Sequence, residues 1–271
     1  MNIKVKLTES NDKIDVKLDQ VTVVTDGGYE RGYEAGYTTG NAEGYGKGYN
    51  NGLDEGYTNG YEEGALLTDK LADRTITEIT SNISTIGSYA FYQCTSLTKA
   101  HFPNATVIKT NAFQVCNDLK DLYIPNVQNI EAGVFYRCTS LVELDLPYVP
   151  SIPASSFADC SKLERITFPK ATSIGQYAFQ NCSNLLGADL VSVNTTLAVA
   201  CFYNCPKFAT LIIRNQDAVV AMNNVNCIGR TAIANGTGFV YVPDHLVDNY
   251  KSATNWSTYA NQIKPLSELE G

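Results

Sequence analysis

Histidine is scarce in this chain, with only His101 and His245 among 271 residues, and there are two methionines and one tryptophan. Two imidazoles leave little material for histidine-based acid–base chemistry. The motifs G-x-S-x-G, H-E-x-x-H and G-x-x-x-x-G-K-[ST] are absent, so no nucleophile elbow, zinc helix or phosphate loop is expected. Basic residues are the minority, 20 against 28 acids, for a net charge of −8. Nucleic acids and anionic membranes are held by basic faces, so neither is expected as the main partner. No apolar run approaches the roughly 18 residues of a membrane helix, so no membrane insertion is expected. The N-terminal MNIKVKLTESNDKIDVKL alternates Ile, Val and Leu with charged residues and lacks the apolar core of a secretory signal. These absences lean away from an enzyme. No catalytic residue, metal ligand or cofactor is expected.

What the chain does contain is periodicity. Cys94, Cys116, Cys138, Cys160 and Cys182 follow one another at a step of 22, and Cys205 comes 23 later. Eight residues before each cysteine stand Ile86, Ile108, Ile130, Ile152, Ile174 and Leu197, and three before it Phe91, Phe113, Phe135, Phe157, Phe179 and Phe202. Three after it come Leu97, Leu119, Leu141, Leu163, Leu185 and Phe208. At six and eight after come pairs such as Leu122/Ile124 and Leu144/Leu146, and Pro103, Pro125, Pro147 and Pro169 close the first four units. One such unit cannot hide its own apolar face. Stacked units can, so the repeat implies a solenoid in which each apolar column becomes a continuous core. The L-x-I pair reads as a short strand and proline as its end. The A-F-x-x-C-x-x-L stretch has spacings of three and four, which predict one or two helical turns.

The unit Ile86-Gly87-Ser88-Tyr89-Ala90-Phe91-Tyr92-Gln93-Cys94, continued by x-x-Leu-x-x-L-x-I-P, resembles the BspA-type leucine-rich repeat over about residues 71–214. The segments Tyr241-Val242-Pro243-Asp244 and Tyr250 to Ser257 resemble the capping segment of such proteins in gut bacteria and their phages. The resemblance implies surface adhesion or ligand binding and no catalytic residues. Cys201 in place of Ala, the inserted residue before Cys205, and Val191 and Arg214 in place of Pro mark the last unit as a transition into the cap. The six ladder cysteines are expected to be buried and reduced. Side chains in one solenoid column point the same way, which suits neither a disulfide nor a zinc site.

A second periodicity precedes the repeats. Glycine falls at every fourth position from Gly28 to Gly64, and Tyr29, Tyr33, Tyr37, Tyr45, Tyr49, Tyr57 and Tyr61 each follow one. Seven acids and two bases put −5 of the net charge here. A lone helix with this glycine content would lose about 1 kcal/mol per glycine. Two readings stay open: a self-associating stalk in which those tyrosines supply buried area, or a flexible linker. Residues 2–24 carry the short alternations Ile3/Val5/Leu7 and Ile14/Val16/Leu18, too little chain for a core, so they are expected to pair with other copies or with a larger particle.

The fold class expected is therefore an α/β-type leucine-rich repeat solenoid of six 22-residue units. The domains run 1–26 (small β anchor), 27–65 (Gly-Tyr tetrad stalk or linker), 66–214 (solenoid) and 215–271 (C-terminal cap). The cap is expected to turn Phe239, Tyr241, Val242, Leu246, Tyr250, Trp256, Tyr259 and Ile263 inward. Residues five and seven after each cysteine should point outward, and the candidate binding row is Lys99, His101, Asp121, Tyr123, Glu143, Asp145, Arg165, Thr167 and Asp189. Tyr92, Tyr136 and Tyr203 form a second candidate edge. The layout of anchor, stalk and head suits a phage virion fibre or tail-associated protein, the expected partners being other virion proteins and a bacterial surface protein or glycan. Such a protein is expected to be a homo-oligomer, a trimer by analogy with fibres. The alternatives are a bacterial cell-surface or secreted adhesin and an intracellular scaffold.

Overall fold

The computed structural model describes residues 74–194 and 196–270, and the backbone of Lys17 and Leu18. Each repeat contributes one short strand to a row of parallel rungs. These are β2 (Glu78–Ser81), β4 (Lys99–His101), β6 (Asp121–Tyr123), β8 (Glu143–Asp145), β9 (Arg165–Thr167), β10 (Gly187–Leu190) and β11 (Thr210–Ile213). The row runs on through β12 (Phe239–Val242) and β13 (Ile263–Pro265), and β1 (Lys17–Leu18) lies parallel to β2 at its other end. Hydrogen bonding divides the row into β1-β2-β4-β6, β8-β9 and β10-β11-β12-β13. A second, narrower row holds the isoleucines eight before each cysteine: β3 (Thr85–Ile86), β5 (Val107–Ile108) and β7 (Asn129–Ile130), continued by an Ile152–Ile174 bridge. Residues 1–26 were expected to look to other chains; the two of them described here pair with β2. The remainder of that segment and the Gly-Tyr tract, with its seven tyrosines, lie outside the described residues.

The third side corrects the helical expectation for A-F-x-x-C. These residues form a turn in which left-handed backbone recurs at positions five and one before each cysteine: Asn111 (φ 54°) and Val115 (φ 63°), Gly133 (65°) and Arg137 (61°), Ser155 (54°) and Asp159 (60°), Tyr177 (58°) and Asn181 (61°). The amides thereby alternate in direction. Asn111, Phe113 and Val115 donate to the carbonyls of Ala132, Val134 and Tyr136 in the next unit, while Ala112, Gln114 and Cys116 close tight turns within their own. A helix would spend every N–H internally. Spacings of three and four cannot tell the two apart, because both put Phe and Cys on one face.

Left-handed backbone costs a residue with a side chain roughly 1–2 kcal/mol. Gly133 avoids that cost and also makes room, since a Cβ there would lie 2.0 Å from Oδ1 of the buried Asn111. Val115 has neither excuse, being β-branched and only half-buried. Val115→Asn is expected to raise stability by about 1 kcal/mol in urea unfolding. A loss instead would mean that packing of the Val115 methyls outweighs the backbone strain.

Between the three sides lies one core. Phe91, Phe113, Phe135, Phe157, Phe179 and Phe202 are all buried and stack ring on ring, with centroids 5.0–5.6 Å apart and planes within 22° of parallel. The spacing follows from the rung separation, about 4.8 Å between strands. Each column of the sequence repeat thus becomes a physical column.

All eight cysteines are buried and unpaired with one another. Their role is more specific than that of a small apolar filler. The thiols of Cys116, Cys138, Cys160, Cys182 and Cys205 donate to the carbonyl oxygens of Phe91, Phe113, Phe135, Phe157 and Phe179 in the preceding units, at 3.0–3.1 Å. Burial pushes Cys94 and Cys160 up to about 12 and Cys116, Cys138 and Cys182 well above the usual thiol range. Cys227 is the exception, lowered to about 7 chiefly by a hydrogen bond with the Cys201 thiol, yet its side chain is fully enclosed. A thiol reagent at pH 8 is therefore expected to modify none of the eight in the native protein and all eight after denaturation. Rapid labelling of any ladder cysteine before unfolding would contradict this packing.

Candidate ligand-binding face

The strand row presents an outer face built by alternation alone. In β4, β8 and β9 the middle residues Ala100, Leu144 and Ile166 are buried, while the residues flanking them are half-buried or exposed. All nine residues of the expected binding row lie on this face: Asp121, Tyr123, Glu143, Asp145, Arg165 and Thr167 exposed, and Lys99, His101 and Asp189 half-buried. Parallel register sets Lys99 beside Asp121, His101 beside Tyr123, Glu143 beside Arg165 and Asp145 beside Thr167.

Register decides the electrostatics. Asp121 takes a 2.7 Å contact from His101 Nε2 and lies 3.8 Å from Lys99 Nζ. Arg165 reaches Glu143 at 3.3 Å, and the Thr167 hydroxyl donates to Asp145 at 2.5 Å. Arg214 binds Asp189 through two nitrogens at 2.8–3.0 Å. Charges of both signs are thus paired from rung to rung. Such exposed pairs contribute only about 0–1 kcal/mol each, so a ligand can exchange them at little cost. Tyr123 stands clear of this network, 50% exposed, with its ring 5.6 Å from that of His101. Among the described residues no group of three potential metal ligands occurs.

The sequence reading missed the far end of the face. Phe239 and Tyr241 were expected inside the cap, but β12 buries Val240 and Val242 instead and turns Phe239 and Tyr241 outward. The reason is register: Leu211 lies beside Val240, so the core side of β11 passes to the even-numbered residues of β12. Expecting both Tyr241 and its neighbour Val242 inside violated the alternation of a strand. Phe239 and Tyr241 adjoin Thr210 and Ile212 by register, and the Lys264 ammonium sits 5.3 Å from the Phe239 ring. Of the other expected cap residues, Val242, Leu246, Tyr250, Trp256, Tyr259 and Ile263 are all buried.

The second candidate edge is arranged differently. Tyr92, Tyr136 and Tyr203 are half-buried, and each carries a guanidinium over its ring, from Arg74 at 5.7 Å, Arg137 at 5.3 Å and Arg230 at 5.4 Å. Burial, then the Asp159 charge, pushes the Tyr136 phenol up. A polar ladder runs alongside, from Arg137 to Asp159 to Asn181 to Asn204. Arg74 and Arg230 reach Tyr92 and Tyr203 from neighbouring segments, whereas Arg137 covers the ring of its own chain neighbour Tyr136. The strand face is the better candidate.

The model of the BspA-type leucine-rich repeat region matches six copies, over residues 71–185 and 106–227. The chain belongs to this family. The matched span runs past β11 and ends at residue 227, inside the segment 215–271 expected as the cap. Comparison with curated proteins gives no match. Among solved structures, this repeat protein is similar to a leucine-rich repeat protein of T. pallidum, at 23% identity over 62% of this chain and 75% of that one, with a TM-score of 0.47. It is also similar to a leucine-rich cell surface protein of Faecalibacterium prausnitzii, at 15% identity, 70% and 78% coverage and a TM-score of 0.37. A third, from Eubacterium ventriosum, has 22% identity, 58% and 44% coverage and a TM-score of 0.47. Among the described residues no helix is long and apolar enough to cross a membrane.

Proposed function

We propose that this is a non-enzymatic, adhesion-type binding protein whose strand face holds a protein or glycan on a bacterial surface. One observation carries the reading: the outer positions of successive rungs vary in chemistry from unit to unit while every core column stays fixed. Stacked repeats generate extended surfaces of this kind, and a partner covers several rungs at once. Exposed Tyr123 and the aromatic pair Phe239 and Tyr241 supply apolar contact area, and the paired charges between them supply hydrogen-bonding groups.

The finer reading is that the protein is mounted on a phage particle as a fibre or tail-associated protein. Its N-terminal region would contact other virion proteins, and the stalk tyrosines would hold a homo-oligomer, a trimer by fibre analogy. The division of the sequence into anchor, tract and repeat head supports this. Membership of the BspA-type family supports a bacterial cell-surface or secreted adhesin equally well. Neighbouring genes separate the two: capsid and tail genes favour the first, secretion genes the second.

The face itself is tested by binding of the labelled protein to bacterial cells. Tyr123→Ala combined with Arg165→Glu is expected to lower binding at least tenfold while the thermal midpoint moves by less than about 2 °C, because both side chains are exposed. Unchanged binding would remove the strand face from consideration.

A further inference from the structure

The units of the stack are not joined equally. Along the strand row, Lys120 and Asp121 donate to the Thr98 carbonyl, and Glu164 and Arg165 donate to that of Val142. At the step between, from β6 to β8, the matching bonds from Val142 and Glu143 to Lys120 are missing, and no ladder joins the two strands. The bond from Ile124 to Asp145 is missing too, although Phe102 and Leu146 donate to Tyr123 and Thr167 in the same way. The gap continues onto the second row. There Gln128 and Thr172 donate to Thr106 and Pro150, and Glu131 and Gly175 donate to Ile108 and Ile152. The residues placed to donate at the step between are Pro150 and Pro153, which have no N–H. Among the described residues, no ladder, turn hydrogen bond or ion pair joins 120–131 to 142–153.

Two further features mark the same step. Leu122 is only half-buried, whereas its counterparts Ala100, Leu144, Ile166, Ala188 and Leu211 are buried. The Phe113–Phe135 separation, 5.6 Å, is the widest in the ring column. Only the turn side stays laced. Phe113 and Val115 donate to Val134 and Tyr136 just before the seam, and Gly133 and Phe135 donate to Ala154 and Ser156 just after it. Ile124, Ile130, Leu146 and Ile152 remain buried, so apolar packing alone closes the seam.

We infer that this seam is a hinge. The repeat domain is two rigid blocks, 74–131 and 142–266, and the turn at 132–138, bonded to the units on both sides, is the pivot. An array coupled only through neighbours divides at its weakest interface. Apolar contact without a ladder opens or slides at lower cost than hydrogen-bonded strands do. The seam cuts the strand face between Asp121 and Tyr123 on one block and Glu143 and Asp145 on the other. The charge pairs run away from it, from Asp121 to His101 and from Glu143 to Arg165. Its consequence for binding rests on the function proposed above: a partner spanning both blocks fixes the angle between them.

Spin labels on the full-length protein test the hinge, because the native cysteines are all buried and only introduced ones take the label. Ser96→Cys with Lys162→Cys sets labels across the seam, from the β4 rung to the β9 rung. Lys162→Cys with Asn235→Cys spans as many rungs, β9 to β12, within the second block. The distance distribution is expected to be at least twice as wide across the seam as within the block. Pro150→Thr with Pro153→Lys restores both donors and is expected to narrow it to the width of the control. In the unlabelled wild type, the Val142 and Glu143 amides are expected to exchange hydrogen at least tenfold faster than those of Lys120 and Glu164. Neither measurement uses a ligand, so the hinge and the binding face stand or fall separately. Equal widths for the two label pairs, or exchange at Val142 as slow as at Glu164, would overturn the hinge.

Discussion

Phe157→Ala is expected to cost about 3–5 kcal/mol of stability, the range for emptying a fully enclosed aromatic site. Phe157 sits near the middle of the ring column, with Phe135 5.3 Å away on one side and Phe179 5.3 Å away on the other, and none of its surface reaches solvent. Neighbouring rings cannot close the gap, because inter-unit hydrogen bonds at Phe135, Phe157 and Asp159 hold the rung spacing. A repeat array is coupled only through adjacent units, so a void between two of them also weakens cooperativity. Urea unfolding followed by fluorescence and by circular dichroism is the measurement. The wild-type transition is expected to split or to broaden with a reduced denaturant slope, and Phe157→Leu should recover most of the loss. A single sharp transition displaced by less than about 1 kcal/mol would show that the column is not a shared core.

Trp256→Ala is expected to be comparably damaging, about 3–5 kcal/mol, at the C-terminal end of the stack. The cap covers the last core layer with the helix Val247–Ser252 and the 3-10 stretch Trp256–Gln262. Tyr250 and Trp256 pack edge to face, centroids 5.4 Å apart, and both are fully buried. They also serve one backbone residue from both sides. The Trp256 indole donates to the Val220 carbonyl at 2.7 Å, and the Val220 N–H donates to the Tyr250 hydroxyl at 2.9 Å. Removing the indole therefore opens a cavity and strips a buried carbonyl of its partner. Detachment of β13 would then expose the edge of β12 and drive association, so light scattering is expected to rise at temperatures where the wild type stays clear. Trp256→Phe keeps most of the apolar volume but not the donor, and should fall between the two. Removal of residues 239–271 is the limiting case, with aggregation expected. A soluble variant with an unchanged melting temperature would refute the capping role.

Much of this structure was legible in the sequence because its information is columnar. A 22-residue step that repeats an isoleucine, a phenylalanine, a cysteine and a leucine at fixed offsets states which residues face the core. Alternation within the strands then states which face outward. The outward placement of the nine residues proposed for the binding row follows from that logic, and each lies half-buried or exposed on the strand row. The same alternation puts Phe239 and Tyr241 on the outer face of β12, where the hydrophobicity of an aromatic residue by itself does not distinguish it from the core.

Tertiary structure decided what depends on the direction of a backbone amide or on the register between units. Helix and alternating left-handed turn share the same spacing of Phe and Cys, and only the neighbour's carbonyls, within reach of Phe113 and Val115, select the turn. The cysteine thiols find their Phe acceptors 25 residues earlier, a distance that corresponds to no local motif. Asp189 meets Arg214 and Lys99 meets Asp121 only once parallel strands are laid in register. Composition and period determined that this chain is a stacked repeat with a variable outer face, since burying an apolar column is a requirement each unit carries in its own residues. Which outer groups pair, which amides cross between units and what covers the two ends are properties of neighbours in space, and no single unit contains them.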